Sequence, residues 1–195
     1  MKRLNSFIGL ILIFFTAGCA TVPVSVNDNI KQGYNFSRVK TMLVLPFVEQ
    51  EEKFGNRSGI DLNYDSASIM AQNLVSPDMN VMEVSDRSSF DFMLQQNGLS
   101  LSGMLAEKDY VRIGELTNVD AVLCGSIMME NAAGKRKCSI SVWIFDVRER
   151  TTVYSSTAER RDIFGGISAS VFKKGLLLSL VQRIKGYTAG FPRKL

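Results

Sequence analysis

The sequence predicts an α/β fold of the α+β kind, in which a mixed sheet ends in a C-terminal antiparallel meander and about four helices pack against it. Three observations predict this class. An apolar run over residues 40–48 is typical of a buried strand. Helical periodicity dominates residues 65–116, and three strand-like segments separated by short turns follow over residues 120–159.

The start of the chain indicates export. Two cations precede an apolar run over residues 7–15, which is shorter than the roughly 20 residues that span a bilayer. The sequence Thr-Ala-Gly-Cys that ends at Cys19 resembles the lipobox of bacterial lipoproteins. This resemblance implies removal of residues 1–18 as a lipoprotein signal peptide and acylation of Cys19, and Ala20 implies sorting to the outer membrane. The alternative is an ordinary secretory signal that leaves Cys19 as a thiol.

The anchor divides the rest of the chain into three parts. Residues 19–37 are polar and turn-rich, which predicts a lipidated tether. Residues 38–186 are expected to form a single periplasmic domain, and residues 187–195 a frayed tail. The 177 residues that remain after cleavage are enough for one domain with a proper core.

Composition excludes several function classes. The chain has no histidine, so it has no Ser-His-Asp triad and no histidine metal ligand. Its carboxylates share no spacing that would fix an acid/base pair, and it has no phosphate-binding loop and no CxxC. The 23 cations less the two in the signal, against 19 carboxylates, give a net charge of +2. We therefore predict no enzymatic activity, catalytic residue, cofactor, metal site or nucleic-acid partner.

The first half of the domain predicts alternating strands and helices. Residues 40–48 form the first core strand, which Pro46 ends because proline cannot donate to a ladder. Residues 49–63 are charged and contain two glycines, which predicts a long loop. The later elements are a helix capped by Asp65 or Ser66, a strand over 80–84, a helix capped by Ser85 or Asp86 that stops at Gly98, and a helix over 106–116.

The second half predicts a meander and a closing helix. The middle strand alternates between two apolar faces, Ile140, Val142 and Ile144 on one and Trp143, Phe145 and Val147 on the other. Cys124 and Cys138 lie on adjacent strands about 10 Å or more apart along the ladder, which predicts two buried thiols and no bridge. An apolar stripe over 168–185 predicts a helix that docks on the sheet, with a membrane or partner surface as the alternative.

Two charged surfaces are candidate contact sites. A meander brings five cations to one end of the sheet, where they would suit an anionic lipid, a glycan or an acidic partner surface: Lys135, Arg136, Lys137, Arg160 and Arg161. The predicted loop offers a second surface, with Glu49, Glu51, Glu52, Lys53 and Arg57. In both cases an ordinary solvated surface is the alternative.

Several segments carry a family resemblance: 42–47 (MLVLPF), 81–93, 96–99 (QNGL), 119–127 (VDAVLCGSI) and 142–154 (VWIFDVRERTTVY). They resemble the domain shared by the curli-secretion lipoproteins, the penicillin-binding-protein activator lipoproteins and related bacterial lipoproteins. The resemblance implies an anticodon-binding-domain-like periplasmic fold and a role in envelope assembly through protein contacts, often by oligomerising. The chain lacks the long insertions that form the curli pore, so it resembles the members without insertions.

These patterns together predict an outer-membrane-anchored periplasmic lipoprotein that acts as a non-catalytic protein-interaction module in envelope assembly or secretion. Its expected partners are membrane lipid, through acylated Cys19, and another envelope protein or a second copy as a homo-oligomer. The first alternative is an activator of a peptidoglycan synthase, because the predicted tether could reach the cell wall. An envelope enzyme that works without histidine is the second.

Overall fold

The computed structural model describes residues 24–53, 56–57, 59–101, 105–132, 135–162 and 168–188. Over these ranges the chain forms one mixed sheet with helices on both faces. The strands are β1 Ser25–Ile30, β2 Thr41–Val44, β3 Phe47–Lys53, β4 Asn56–Arg57, β5 Asp61–Asn63, β6 Asn80–Glu83, β7 Ala121–Ala132, β8 Lys135–Asp146 and β9 Thr151–Asp162. The helices are α1 Tyr64–Leu74, α2 Arg87–Gln96, α3 Glu107–Thr117 and α4 Ala169–Thr188, and a 3-10 turn covers Phe36–Arg38.

The sheet has the strand order β1-β9-β8-β7-β2-β6. β7, β8 and β9 form the predicted antiparallel meander, and each is 12 residues long. β2 pairs in parallel with β6 and β7. β3 pairs in parallel with the far half of β7 and carries the short strands β4 and β5 on its other side. The mixed sheet and its four helices confirm the predicted fold class.

Two apolar clusters lie on opposite faces of the sheet. The alternation predicted for β8 is confirmed, because Ile140, Val142 and Ile144 are buried in the larger cluster while Phe145 is buried in the smaller one. α1 and α4 contribute to the larger cluster, and α2 and α3 to the smaller.

α4 is the predicted closing helix. Its buried stripe includes Phe172, Leu176 and Leu180, and burial of each such side chain contributes about 2 kcal/mol. The interpretation of this stripe as core is therefore confirmed. None of the helices in the described part of the chain is both long and apolar enough to cross a bilayer.

Pro46 interrupts the first predicted strand without ending it. The Leu45 N–H still donates to the Leu123 carbonyl at 2.9 Å, and after Pro46 the chain resumes as β3. The loop predicted over 49–63 is therefore wrong for most of its length, since β3, β4 and β5 occupy it. The physical reason is pairing at long range, because the charged end of β3 lies alongside β7 as far as Asn131.

The domain also begins earlier than the sequence predicts. Within the stretch 19–37 that we predict as a tether, β1 adds to β9 as an edge strand. Val26 and Ile30 pack against the larger apolar cluster, which supplies the free energy that orders this polar strand. Residues 1–23 and 189–195 lie outside the described residues, so the signal peptide, Cys19 and most of the predicted tail stay predictions.

Side-chain caps fix the starts of α1 and α2, and a glycine follows the end of α2. α1 begins before its predicted caps, because the Asn63 side chain accepts from the Ser66 N–H at 2.8 Å. Asp86 caps α2 as predicted and accepts from the Ser89 N–H at 3.1 Å. Gly98 follows α2 with a φ of +69°, a conformation that favours glycine.

Candidate functional site: the charged tip of the sheet

Charged side chains gather at one end of the sheet, where β3 and the β7–β8 hairpin end and β9 returns. We call this end the charged tip, and its described polar side chains are Glu49, Glu51, Glu52, Glu130, Asn131, Arg136, Lys137, Glu159, Arg160, Arg161 and Lys173. The register brings them together, because Lys137 is the partner of both Glu130 on β7 and Arg161 on β9. The two groups of residues that the sequence predicts as separate surfaces therefore lie at the same end of the sheet.

On the face that α4 covers, the tip is a hydrogen-bonded network. The Asn131 side chain donates to Glu51 at 2.7 Å and accepts from Arg136 Nε at 3.2 Å, which links β3, β7 and β8. Lys173 of α4 forms an ion pair with Glu49 at 2.7 Å, and about a fifth of either side chain is exposed (21% and 22%). Glu49 therefore joins α4 to β3, and its part in a contact surface stays a prediction.

Arg160 lies beneath α4, apart from the exposed cations. Its guanidinium carbon is 5.4 Å from the centre of the Phe172 ring. Its Nε is buried and has no hydrogen-bond partner among the described residues. Because a cation over an aromatic ring contributes about 0.5–2 kcal/mol, Arg160 helps to hold α4 against β9.

On the opposite face of the sheet, cations and carboxylates alternate. Lys137 lies 3.6 Å from Glu130 and 3.3 Å from Glu159, and Arg161 lies 3.3 Å from Glu159. Exposed pairs of this kind contribute about 0–1 kcal/mol each, so they can be exchanged for pairs with another molecule at small cost. Of the predicted cations, Lys137 and Arg161 are thus interleaved with carboxylates on this face and do not form a purely positive patch.

The remaining predicted contact residues have described backbones but undescribed side chains. Lys53 is the register partner of Asn131, Arg57 pairs with Glu52, and Lys135 belongs to the β7–β8 hairpin. All three thus belong to strands that end at the tip. Their part in binding stays a prediction.

The chain enters the domain at the charged tip. Ser25, the first residue of β1, is the register partner of Glu159. Cys19 precedes the described residues and is six residues from Ser25 in the sequence. The predicted anchor point therefore leads into the same end of the sheet as the charged side chains.

A second polar cluster, which the sequence does not predict, lies at the opposite end, beside the β8–β9 turn. Asp146 is 3% exposed and accepts from Tyr34 Oη at 2.5 Å and from Arg38 at 3.2 Å. Glu149 accepts from Lys31 at 2.8 Å and also from Arg38. Burial, followed by the bond to Asp146, raises the pKa of Tyr34 above its usual range, while the bonds from Lys31 and Arg38 lower the pKa of Glu149. The cluster clamps the segment between β1 and β2 to the sheet.

The two cysteines within the described residues have unreactive thiols. Cys124 and Cys138 are free and buried, as predicted, and their register partners are Trp143 and Met129. Burial raises the pKa of each thiol to about 12. Since the thiolate is the reactive species, neither residue is suited to act as a nucleophile or a redox centre.

By its fold, the protein is an α+β domain. One end of its sheet, the charged tip, carries ion-paired side chains. Within the described ranges, no group of three or more Cys, Asp or Glu side chains could hold a metal ion. Asp120 accepts from the backbone N–H groups of Lys40 and Thr41, both at 2.8 Å, and so joins β2 to β7.

Comparison with known proteins supports the fold. No family model matches the sequence, and no curated protein does. Among solved structures, the chain is similar to a variant PelC dodecamer from Paraburkholderia phytofirmans, with 14% identity over 82% of this chain and 96% of that chain and a TM-score of 0.52. It is also similar to lipoprotein GNA1162 from Neisseria meningitidis (18% identity, 78% and 99% covered, TM-score 0.48) and to the LpoB C-terminal domain from Salmonella enterica (15%, 67% and 87%, 0.43). At these identities the likeness to PelC shows a shared fold and no more.

Proposed function

We propose that this protein is a periplasmic lipoprotein, anchored to the outer membrane through acylated Cys19, that acts by protein contact in envelope assembly or secretion. The observation that carries the proposal is the charged tip, which lies where the chain enters the domain. Its exposed ion pairs are weak in isolation, so a partner with complementary charges can replace them at little cost. No catalytic step is part of the proposal.

The short reach of the anchor narrows the choice of partner. Six residue steps separate Cys19 from Ser25, and a fully extended chain covers about 3.5 Å per step, so Ser25, where the chain enters the tip, stays within about 20 Å of the lipid attachment point. A partner that binds the tip therefore lies in or on the same membrane. Other lipoproteins, membrane-embedded proteins and further copies of this chain fit that condition.

The alternative function, activation of a peptidoglycan synthase, is less well supported by the structure than by the sequence. Its support from the sequence is a predicted flexible tether over residues 19–37 that could extend toward the cell wall. β1 and the 3-10 turn take up residues 25–30 and 36–38 of that stretch, and the Asp146 clamp holds the part between them. With so little free chain, contact at the anchoring membrane is the better-supported function.

A second copy is the first partner to test. On the face of the sheet opposite α4, cations and carboxylates alternate at the charged tip. Two copies can therefore pair these groups with each other, because each copy carries both signs at the same end of the sheet. PelC, with which this chain shares its fold, is a dodecamer. Both points favour a homo-oligomer, with a hetero-complex as the other outcome.

Two experiments test the proposal. In the first, cells that express the wild type or Cys19→Ser are labelled with palmitate. We expect labelling of the wild type alone, and equal labelling of both would remove the lipoprotein part of the proposal.

The second experiment measures the native mass of the detergent-solubilised protein for two matched charge reversals. Arg161 at the tip and Arg150 at the opposite end are both exposed (68% and 70%), and each forms one surface ion pair with another described residue. We expect Arg161→Glu to lower the native mass and Arg150→Glu to leave it unchanged. A monomeric wild type without a bound partner, or an equal response to both variants, would contradict contact through the tip.

A further inference from the structure

Within the described ranges, helices cover only part of the face of the sheet opposite α4. Along β8 this face carries Phe145, Trp143, Ser141 and Ser139, in order toward the charged tip. The Phe145 ring stacks on Tyr110 of α3, with the ring centres 4.5 Å apart. Trp143 is half-buried at the border, and the two serines beyond it belong to neither apolar cluster.

A depression of about 160 Å³ lies at this border, next to the edge strand β1. It is lined by Asn27, Asp28, Asn29, Trp143, Ser155, Ser156 and Thr157. The register explains the grouping. One row across the strands runs from Trp143 to Ser155 and Asn29, and the next row runs from Ser141 to Thr157 and Asn27.

Among the residues that the structure describes, the depression is polar but offers no charge to a ligand. No cation is among its described lining residues. Its one carboxylate, Asp28, accepts from Tyr187 Oη of α4 at 2.7 Å and is therefore directed to the other face of the sheet. An anionic group would find no counter-charge here, and a metal ion would find no free carboxylate.

We propose that this depression binds an uncharged saccharide. A pyranose ring has an apolar C–H face and a rim of hydroxyl groups, each of which both donates and accepts hydrogen bonds. The half-buried indole of Trp143 offers a flat apolar surface with a polar N–H. The hydroxyls of Ser155 and Thr157 and the amides of Asn27 and Asn29 both donate and accept, so they match the rim.

The size of the depression sets the scale of binding. Its volume is below the roughly 300–1,000 Å³ of sites that enclose a drug-sized ligand, so it fits about one ring of a longer chain. We expect weak binding of single units and tighter binding of oligomers that continue along the row of hydroxyls formed by Ser141 and Thr157, whose Oγ atoms lie 2.8 Å apart. The site requires neither the charged tip nor the lipid anchor.

Trp143 makes the site directly measurable, because it is the only tryptophan in the chain. The full-length mature protein, in a detergent without a sugar headgroup, is titrated with oligomers of N-acetylglucosamine and of glucose while tryptophan emission is recorded. We expect a saturable change with at least one series. A sulfated oligomer of the same length should bind more weakly, since the depression has no cation.

Three variants test whether the saccharide binds in the depression. Asn27→Ala and Thr157→Val each remove one polar group from the lining and should weaken binding about two- to tenfold, the range expected for one hydrogen bond. Ser25→Ala is the matched control, since Ser25 lies on the same strand and face but outside the lining, and its affinity should equal that of the wild type. The thermal unfolding midpoint of each variant shows that the domain is folded.

Two results would overturn the proposal. One is unchanged emission with both uncharged series. The other is emission that changes with protein concentration alone, which would mean that a second copy covers this face. Failure of the lipidation or native-mass experiments would leave the saccharide site untouched, because the titration depends on neither.

Discussion

Ser25 pairs with Glu159 across the β1–β9 ladder, so the chain enters the domain among the charges of the tip. Given the proposed anchor at Cys19, this pairing orients the domain: the tip lies toward the membrane and the β8–β9 turn lies away from it. The orientation follows from the position of one short edge strand.

This orientation predicts a difference in depth. A fluorophore placed at Arg161→Cys in proteoliposomes should be quenched by headgroup-labelled lipids more strongly than one placed at Arg150→Cys. The two native thiols of the domain are buried and should not compete for the label. Equal quenching at the two positions, or the reverse order, would contradict the orientation.

The clamp at Asp146 should contribute strongly to stability. Asp146→Ala leaves the Tyr34 hydroxyl and Arg38 without their buried acceptor, and loss of one partner in such a cluster costs about 3 kcal/mol. Tyr34→Phe, which removes a single hydrogen bond, should cost about 1 kcal/mol. The free energy of unfolding in urea measures both, and exposed Asp78→Ala serves as a control with an expected change below about 0.5 kcal/mol.

Gly125 should tolerate no side chain. A Cβ at this position would lie 2.2 Å from Cε1 of Phe47, a ring that is itself fully buried. Overpacking of this kind costs about 1–3 kcal/mol, so Gly125→Ala should lower the unfolding midpoint in urea. Gly186 in α4 is the matched control, since nothing lies within 4 Å of its Cβ position and alanine favours helix. A neutral Gly125→Ala would contradict the described packing of β7 on β3.

The buried thiols predict a loss of stability at high pH. The folded pKa of Cys124 and Cys138 is about 12, above the value of about 8.5 for an exposed thiol. Below pH 8 both states are protonated and the thiols add no pH dependence. As pH rises through the unfolded pKa, the unfolded state loses protons that the folded state keeps, so stability falls.

Urea unfolding at pH 7.5, 8.5 and 9.5 measures this slope. The double variant Cys124→Ala/Cys138→Ala should show a shallower fall over the same range, whatever its absolute stability. Identical slopes would show that the thiols do not titrate as described.

The predictable part of the fold is the part in which apolar side chains alternate. β8 and its neighbours carry a two-residue period strong enough to define faces, and α4 carries a clear stripe. β3 is not predicted from the sequence, because it follows Pro46 and its glutamates give no apolar alternation. Its pairing partner β7 lies about 80 residues further along the chain. β1 escaped because only Val26 and Ile30 signal a buried face.

At the charged tip the sequence predicts that cations lie close together but not which groups surround them, and their role as a contact site stays a prediction. Meander geometry places Lys137 and Arg161 together, as the register confirms. The carboxylates beside them, Glu130 on β7 and Glu159 on β9, are not part of the predicted cluster of cations, so the sequence predicts a positive surface where the structure has a mixed one. The Asp146 cluster joins residues more than 100 positions apart, a relationship that no local pattern carries.

The most direct test of contact through the charged tip is photo-crosslinking in intact cells. A photoreactive amino acid is placed at Arg161 and, in a separate strain, at Arg150, and crosslinked bands are identified by mass spectrometry. We predict capture of one envelope protein, or of a second copy, from position 161 and not from position 150. Capture from position 150 alone, or the same unspecific pattern from both positions, would contradict the assignment of the tip as the contact surface.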